Sequence, residues 1–420
     1  MIKNRDFNIL FIGRLIANFG DSLYVIATML LVFKLTGSTL YVGLALFLTS
    51  SMAIVQVILS PLLDRINMKR YLVLAQLIQS ILLLTIPVLY HLDQLAVYQI
   101  LIIMPIITLV NQIIYPGQIS LLPKILKKEE LIKANSLFTI AYQGSDALFT
   151  AIAGFLITFV GVYFVYYIDS LAFLINSILF LFLSQKVATV NKKESDNERS
   201  NLTKRECVKM YFNDFSEGMK IWKDDILLPI LIGIIIINFA TTSIYANLPS
   251  YASTEVQYSF LMGAAGLGVL IGSIIVSKFK LNRFTLNKIY ISSIFLIGLS
   301  WLATSQMVHP SLTMQIISVF TFFLGWVPIG ILNVLSQTMV QLSVPTEKLG
   351  VVMGSMVGVS TLLAPLGALI GGFLGQLIGS SETMLFSSLM FVLVGIYWLS
   401  KSSIRNLPKM ENLPRKEVIT

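Results

Sequence analysis

The sequence predicts an all-α integral membrane protein of twelve transmembrane helices arranged as two six-helix bundles. Three observations carry that prediction: apolar runs of membrane-spanning length, cations confined to alternate connections, and one long polar segment at mid-chain. Hydrophobic residues form 56% of the 420-residue chain and charged residues 12%, whereas soluble domains carry about 25% charged residues. Mean hydropathy is +0.82. A soluble enzyme and a disordered chain are both excluded on these grounds. Cys207 is the sole cysteine, which excludes a disulfide scaffold. The net charge of +9 does not imply a nucleic-acid partner, because the basic residues are scattered between apolar runs and share no domain face.

A hydrocarbon core of about 30 Å needs about 20 apolar residues of helix, and backbone groups in lipid must be satisfied within the segment. The first run, near residues 9 to 33, is too long for a cleaved signal peptide and reads as a retained helix. The turn at Thr36-Gly37-Ser38 separates it from the second, 40 to 63. A cationic connection with Arg65, Lys69 and Arg70 precedes the third, 70 to 90, and the fourth spans 96 to 122. Lys124, Lys127, Lys128 and Lys133 precede the fifth, 135 to 159, and the sixth spans 162 to 184. The seventh and eighth lie at 226 to 247 and 259 to 277. Lys278, Lys280, Arg283 and Lys288 introduce the ninth, 288 to 306, which the tenth follows at 312 to 340. Lys348 precedes the eleventh, 351 to 378, and the twelfth spans 382 to 400. Alternation with a period of two, as in a membrane barrel, is absent from runs such as Ile234-Ile235-Ile236-Ile237.

Of the 30 Lys and Arg residues, 28 fall on the side of the amino terminus, Lys34 falls opposite, and Arg14 lies within a helix. Short cytoplasmic loops retain such cations, so both termini are expected in the cytoplasm of a multi-pass plasma-membrane protein. Residues 185–225 hold nine Lys or Arg against eight Asp or Glu and read as a cytoplasmic linker. Its part Asp214–Trp222 has the amphipathic spacing of a short surface helix. The expected divisions are therefore 1–184 and 226–400 for the two bundles, 185–225 for the linker and 401–420 for a cytoplasmic tail.

Charges in the bilayer cost about 2.5 to 3.5 kcal/mol each even on insertion scales, so each needs a reason. Arg14 and Asp21, seven residues apart, share one helical face, and Asp146 lies in the fifth run. These three are the proton-coupling candidates, with a fixed Arg14–Asp21 ion pair as the structural alternative. Asp169, near the outer end of the sixth run, reads as a packing or capping residue. Polar and aromatic residues within spans form a substrate-cavity set: Asn111, Gln112, Gln118, Gln143, Asn238, Tyr245, Trp326, Asn333 and Gln337. Interhelical hydrogen bonding, worth about 0.6 kcal/mol per bond, is the competing reading for each of them. Gly263 to Gly268 and the run Gly367, Gly371, Gly372 and Gly375 have the small-residue spacing of close helix contacts.

Several stretches carry a family likeness: GRLIANFGDSLYVIATMLLVFKLTGS from Gly13, SPLLDRINMKR from Ser60, KKEELIKANSL from Lys127, YYIDSLAF from Tyr166, DFSEGMKIW from Asp214 and QLSVPTEKLGVVMGS from Gln341. Together they resemble the major facilitator superfamily, and within it the drug:proton antiporter-3 branch of macrolide-efflux and siderophore-export proteins. The resemblance implies the major facilitator fold, with a central cavity lined by helices 1, 4, 7 and 10. It also implies a cytoplasmic conformational gate at Asp64, Arg65, Lys69 and Arg70. The chain departs from the pattern in two places. Helix 4 has no arginine, and Phe149-Thr150 stands where a glycine-proline pair is usual.

No phosphate-binding GxxxxGK[ST] loop occurs, and His91 and His309 fall in expected outer connections, so neither ATP hydrolysis nor a zinc site is expected. The resulting expectation is a non-enzymatic secondary transporter that acts as a monomer and exports a small amphipathic compound in exchange for protons. It takes no cofactor beyond the proton gradient, and its partners are the substrate, protons and the lipid bilayer. Export of an endogenous siderophore or metabolite is the alternative, and a non-transporting sensor or enzyme the remote one. Cysteine labelling of the 185–225 segment checks the topology: reagent confined to the outer face is expected to leave it unmodified, and modification from outside overturns the assignment.

Overall fold

The computed structural model describes residues 4–59, 67–127, 145–184, 225–278, 285–307, 311–343 and 358–409, together with residues 130, 131, 134, 137, 138 and 141. The elements are α1 (Arg5–Thr36), α2 (Thr39–Leu59), α3 (Met68–His91), α4 (Val97–Ile125), α5 (Ser145–Val160), α6 (Val162–Leu181) and α7 (Leu227–Tyr251). They continue with α8 (Glu255–Lys278), α9 (Leu286–Ser305), α10 (Leu312–Ser343), α11 (Ala364–Ile378), α12 (Ser380–Ser400) and the single turn α13 (Ser402–Arg405). Ten of these are long and apolar enough to cross a membrane, and α2 and α5 add two shorter apolar segments among the described residues. The twelve long elements overlap the twelve runs read from sequence. The expected linker up to residue 224, its Asp214–Trp222 helix, the start of the eleventh run and the tail beyond residue 409 lie outside the described residues.

Local chemistry sets the helix ends. Asn4 caps α1 by accepting from the Phe7 amide, and Gly37 closes it at φ 62°, a left-handed conformation that glycine adopts without strain. Asn67 caps α3 through the Arg70 amide. His91 is the last residue of α3, so it sits at a helix end and not in a loop.

The chain divides into two units. The first comprises Met1–Gly37, Leu44–Asn201 and Tyr258–Gly263; the second comprises Ser38–Gly43, Leu202–Gln257 and Ala264–Thr420. In the first unit the helices are inside out relative to a soluble protein. On α3, Leu74, Ile78, Ile81, Leu84 and Val88 are exposed, while Gln76, Gln79 and Ser80 are buried. On α6, Leu171, Leu174, Ile175 and Ile178 are exposed, while Asp169, Ser170, Asn176 and Ser177 are buried. Aliphatic residues outward and polar residues inward is the arrangement a hydrocarbon solvent selects.

The buried polar groups form a seam between α1, α3 and α6. Asn176 donates to the Gly13 carbonyl at 2.9 Å and to Gln76 Oε1 at 2.7 Å. Gln76 then donates to Gln79 at 2.8 Å, and Ser170 to the Ser80 carbonyl at 2.8 Å. Gly13 is obligatory here: a Cβ would lie 2.5 Å from the Phe180 ring and 2.7 Å from Asn176 Oδ1.

At the end of this unit that bears the amino terminus, Asn4 donates to the Ile125 carbonyl at 2.7 Å and the Ser184 amide to Asp6 at 2.9 Å. Lys69 donates to the Leu183 carbonyl. At the opposite end Tyr90 stacks on Tyr163, centroids 3.5 Å apart, with Lys34 Nζ 5.2 Å from the same ring. Such amphipathic rings suit a membrane–water boundary.

The second unit is held by aromatic packing and glycine contacts. Trp301, fully buried, stacks on Phe322, meets Phe391 edge-on and donates its indole N–H to the Phe322 carbonyl at 3.1 Å. Trp398 donates to the Pro229 carbonyl at 3.0 Å. The α11 glycines lie against α7 as their spacing predicts: a Cβ on Gly371 would lie 2.5 Å from Ser243 Cα, and Asn247 donates to the Gly371 carbonyl at 2.9 Å. Gly268 serves α8 against α10, where a Cβ would lie 2.5 Å from Trp326 Cβ.

Replacing Gln76 by Leu strands the Asn176 donor and the Gln79 acceptor, a loss of about 1 to 3 kcal/mol. Thermal unfolding in detergent is expected to show a lowered midpoint for Gln76→Leu and an unchanged one for the exposed Leu74→Val.

Candidate functional site

The first unit gathers most of the charge found within the described spans, and α1 organises it. Arg14, Asn18 and Asp21 follow at intervals of four and three residues and therefore share a face. Arg14, only 1% exposed, donates through Nη2 to Asn18 Oδ1 and to Asp21 Oδ2, the latter at 3.2 Å. Asn18 passes the contact on, donating to the Ala141 carbonyl at 2.6 Å and to Ser145 Oγ at 2.9 Å. The Arg14–Asp21 ion pair expected from the seven-residue spacing is therefore present, with Asn18 as its third member.

Asn111, Tyr115 and Gln118 on α4 repeat the four-and-three spacing on the helix that faces this row. Asn111 lies beside Asp21, and the Arg14 guanidinium stands 5.8 Å from the Tyr115 ring centroid. Tyr24 and Thr108 hydroxyls lie 3.5 Å apart farther along the same pair of helices. Gln118 is fully buried and, among the described residues, neither end of its amide meets a partner. One oxygen each of Asn111 and Asp21 is likewise buried without a partner there. Asp146, on the first turn of α5, is exposed and lies within electrostatic reach of Arg14 and Asp21, with Ser22 beside it. One guanidinium against two carboxylates gives the cluster a formal charge of −1. Such a cluster can hold a cation or a hydrogen-bonding neutral molecule.

The remaining sequence candidates separate. Gln112 is half-buried on α4. In the second unit Tyr245 stacks on Trp326, centroids 5.6 Å apart at 25°, and the buried Trp326 indole N–H has no acceptor among the described residues. Asn238 donates to the Ser360 carbonyl at 2.9 Å, so the interhelical reading holds for it. Asn333 is exposed and Gln337 half-buried on α10. Gln143, Asp64 and Arg65 lie outside the described residues. Of the gating set, Lys69 is bonded to the end of α6 and Arg70 is exposed on the first turn of α3.

Two participants were not singled out in the sequence. Asn18 and Tyr115 each sit four residues from a named candidate on the same face, and that spacing was the available signal. Asp169, expected as a packing or capping residue, is packed against α1. It is the eighth residue of α6, fully buried, and touches α1 at Gly20.

An all-helical bundle with aliphatic exteriors and a charged, hydrogen-bonding cluster inside its spans defines a multi-pass membrane transport protein. Residues 10–357 match the family described as the Major Facilitator Superfamily, and the chain belongs to it. It is thus a membrane transporter and not an enzyme. It is 22% identical to the Bacillus subtilis (strain 168) "Uncharacterized MFS-type transporter YvqJ", covering 99% of this chain and 97% of that one. It is 21% identical to YfiS of the same organism, described in the same words, over 91% of this chain and 90% of that one. Among solved structures it resembles the nucleoside transporter NupG with a TM-score of 0.66 at 12% identity, covering 94% of this chain and 98% of that one. It resembles a peptide transporter POT in complex with sulfate with the same TM-score of 0.66 at 12% identity, covering 97% and 96%. These structural likenesses establish the fold.

The Arg14–Asp21 contact is checked by a double-mutant cycle. Arg14→Met alone leaves Asp21 without its cation and is expected to destabilise by about 3 to 5 kcal/mol. Arg14→Met with Asp21→Asn is expected to recover about 0.5 to 3 kcal/mol relative to the sum of the single effects, read from unfolding in detergent.

Proposed function

We propose that this transporter exports a small amphipathic compound, neutral or cationic, in exchange for protons. The observation that carries the reading is the intramembrane cluster on α1, α4 and the start of α5, with its formal charge of −1, the unpartnered Gln118 amide and the unpartnered Asn111 Oδ1. Arg14 is already engaged by Asn18 and Asp21, which disfavours an anionic substrate such as a siderophore carboxylate. Gln118 and Asn111 supply hydrogen-bonding groups beside the Tyr115 ring, a combination suited to a molecule with one polar edge and one apolar face. Coupling to protons is supported by two carboxylates near one guanidinium, because binding a cation and binding a proton compete for the same negative charge.

In this reading Asp21 exchanges a proton for substrate and Asp146 draws the cation toward it. The energy source is the proton gradient, since the sequence carries no nucleotide-hydrolysing motif. The protein acts as a monomer in the plasma membrane by alternating access, with both termini in the cytoplasm, and Asp64, Arg65, Lys69 and Arg70 bias which face is open. The sequence likeness to the drug:proton antiporter-3 branch supports the outward direction.

Proteoliposomes loaded with ethidium test it. An imposed proton gradient is expected to drive ethidium movement in the wild type and to drive it at least about tenfold more slowly in Asp21→Asn. Movement that is gradient-driven to the same extent in both proteins removes Asp21 from the coupling. Movement indifferent to the gradient removes protons from the reaction.

A further inference from the structure

The seam between α1, α3 and α6 bonds its hydroxyls and its amides except Asn176 Oδ1, and leaves both oxygens of its acid bare. Gln76, Gln79 and Asn176 bond in series, and Ser80 and Ser170 bond each other. Asp169 lies in the same seam, 0% exposed, yet neither carboxyl oxygen has a hydrogen-bond or ion-pair partner among the described residues. The backbone admits it deliberately. A Cβ on Gly20 of α1 would collide with Asp169 Oδ1 and would lie 2.8 Å from the Phe173 ring, so only glycine leaves the carboxyl its space. Gly13 and Gly20, two turns apart, receive Asn176 and Asp169, also two turns apart, on an antiparallel pair of helices. Asn176 bonds through its Nδ2, whereas Asp169 bonds through neither oxygen and has no cation beside it among the described residues.

We infer that Asp169 is a proton-binding site of the first unit, placed on the glycine face of α1, about a third of a turn round from the Arg14–Asp21 cluster. An ionised carboxylate buried in a seam whose donors are bonded elsewhere is far more costly than a neutral one, and a single proton removes that cost. Binding adds one proton to one carboxyl oxygen and takes the group from −1 to neutral. The groups that act on it are few. From α1 there is Asp21, the residue after Gly20, and from its own helix Tyr166, whose hydroxyl lies 3.1 Å from Thr28 Oγ1. The α3 residues of the seam, Gln76, Gln79 and Ser80, carry no charge, and Asp146 stands at the start of α5. A carboxyl on α1 and one packed against it from α6 are thereby coupled: when Asp21 is ionised, repulsion favours the proton on Asp169. The inference deepens the proton-coupled reading and names a second carrier that does not touch the substrate cluster.

The test reads the proton directly, without any substrate. Infrared spectra of the full-length protein in lipid at neutral pH are expected to contain a protonated-carboxyl C=O band. Asp169→Asn is expected to abolish it, Asp21→Asn to leave it, and Asp169→Glu to retain it at a shifted frequency, which separates loss of the proton from loss of the fold. Absence of the band in the wild type overturns the inference. So does a full band in Asp169→Asn, or an unshifted one in Asp169→Glu. If the band behaves as expected while ethidium movement ignores the proton gradient, the export reading fails and the proton site stands.

Discussion

Lipid supplies no hydrogen bonds, so every polar group on a spanning helix has to find its partner within the protein. This constraint falls hardest on α1, which carries Arg14, Asn18 and Asp21 along one face and Gly13 and Gly20 along another. The charged face requires polar company, and α4, Ala141 and the first residue of α5 provide it through Asn111, Tyr115, the Ala141 carbonyl and Ser145. The glycine face offers its own backbone instead, and α6 closes on it with Asn176 and Asp169. Positions of α4, α5 and α6 in the first unit all follow from the two faces of one helix.

The two units solve the same solvent problem with different materials. The first relies on hydrogen-bonded amides and one ion pair, whereas the second relies on Trp301, Phe322, Phe391 and glycine-mediated backbone contacts. Charges on α7 to α12 stand near helix ends, at Glu255, Lys278, Lys288 and Glu382, with none in mid-span. Chemistry that needs charge within the bilayer is therefore concentrated in the first unit among the described residues.

Much of the fold was legible because hydrophobic length and cation placement are one-dimensional properties. Arg14 and Asp21 were readable as partners for a similar reason, since two helical turns within one segment fix a shared face. What escaped reading was pairing across segments. Asp169 looked like a residue near a helix end, and nothing local revealed that its level in the bilayer meets Gly20 some 149 positions away. Gln76, Gln79 and Asn176 passed unnoticed because their role is structural and their partners are one another. Asn238 carried two readings, cavity residue and interhelical bond, and its donation to the Ser360 carbonyl is a contact no spacing could announce.

The bonds at the amino-terminal end of the first unit have a mechanical consequence. Asn4 fastens α1 to the last turn of α4, Asp6 fastens it to Ser184 just past α6, and Lys69 fastens α3 to Leu183 beside it. Four helices thus share one collar at that end, so sliding any of them along its axis breaks at least one of these contacts. Turning the four together breaks none. Strain applied at one helix is in this way spread over the whole unit, which behaves as a lever arm and not as a set of independent rods.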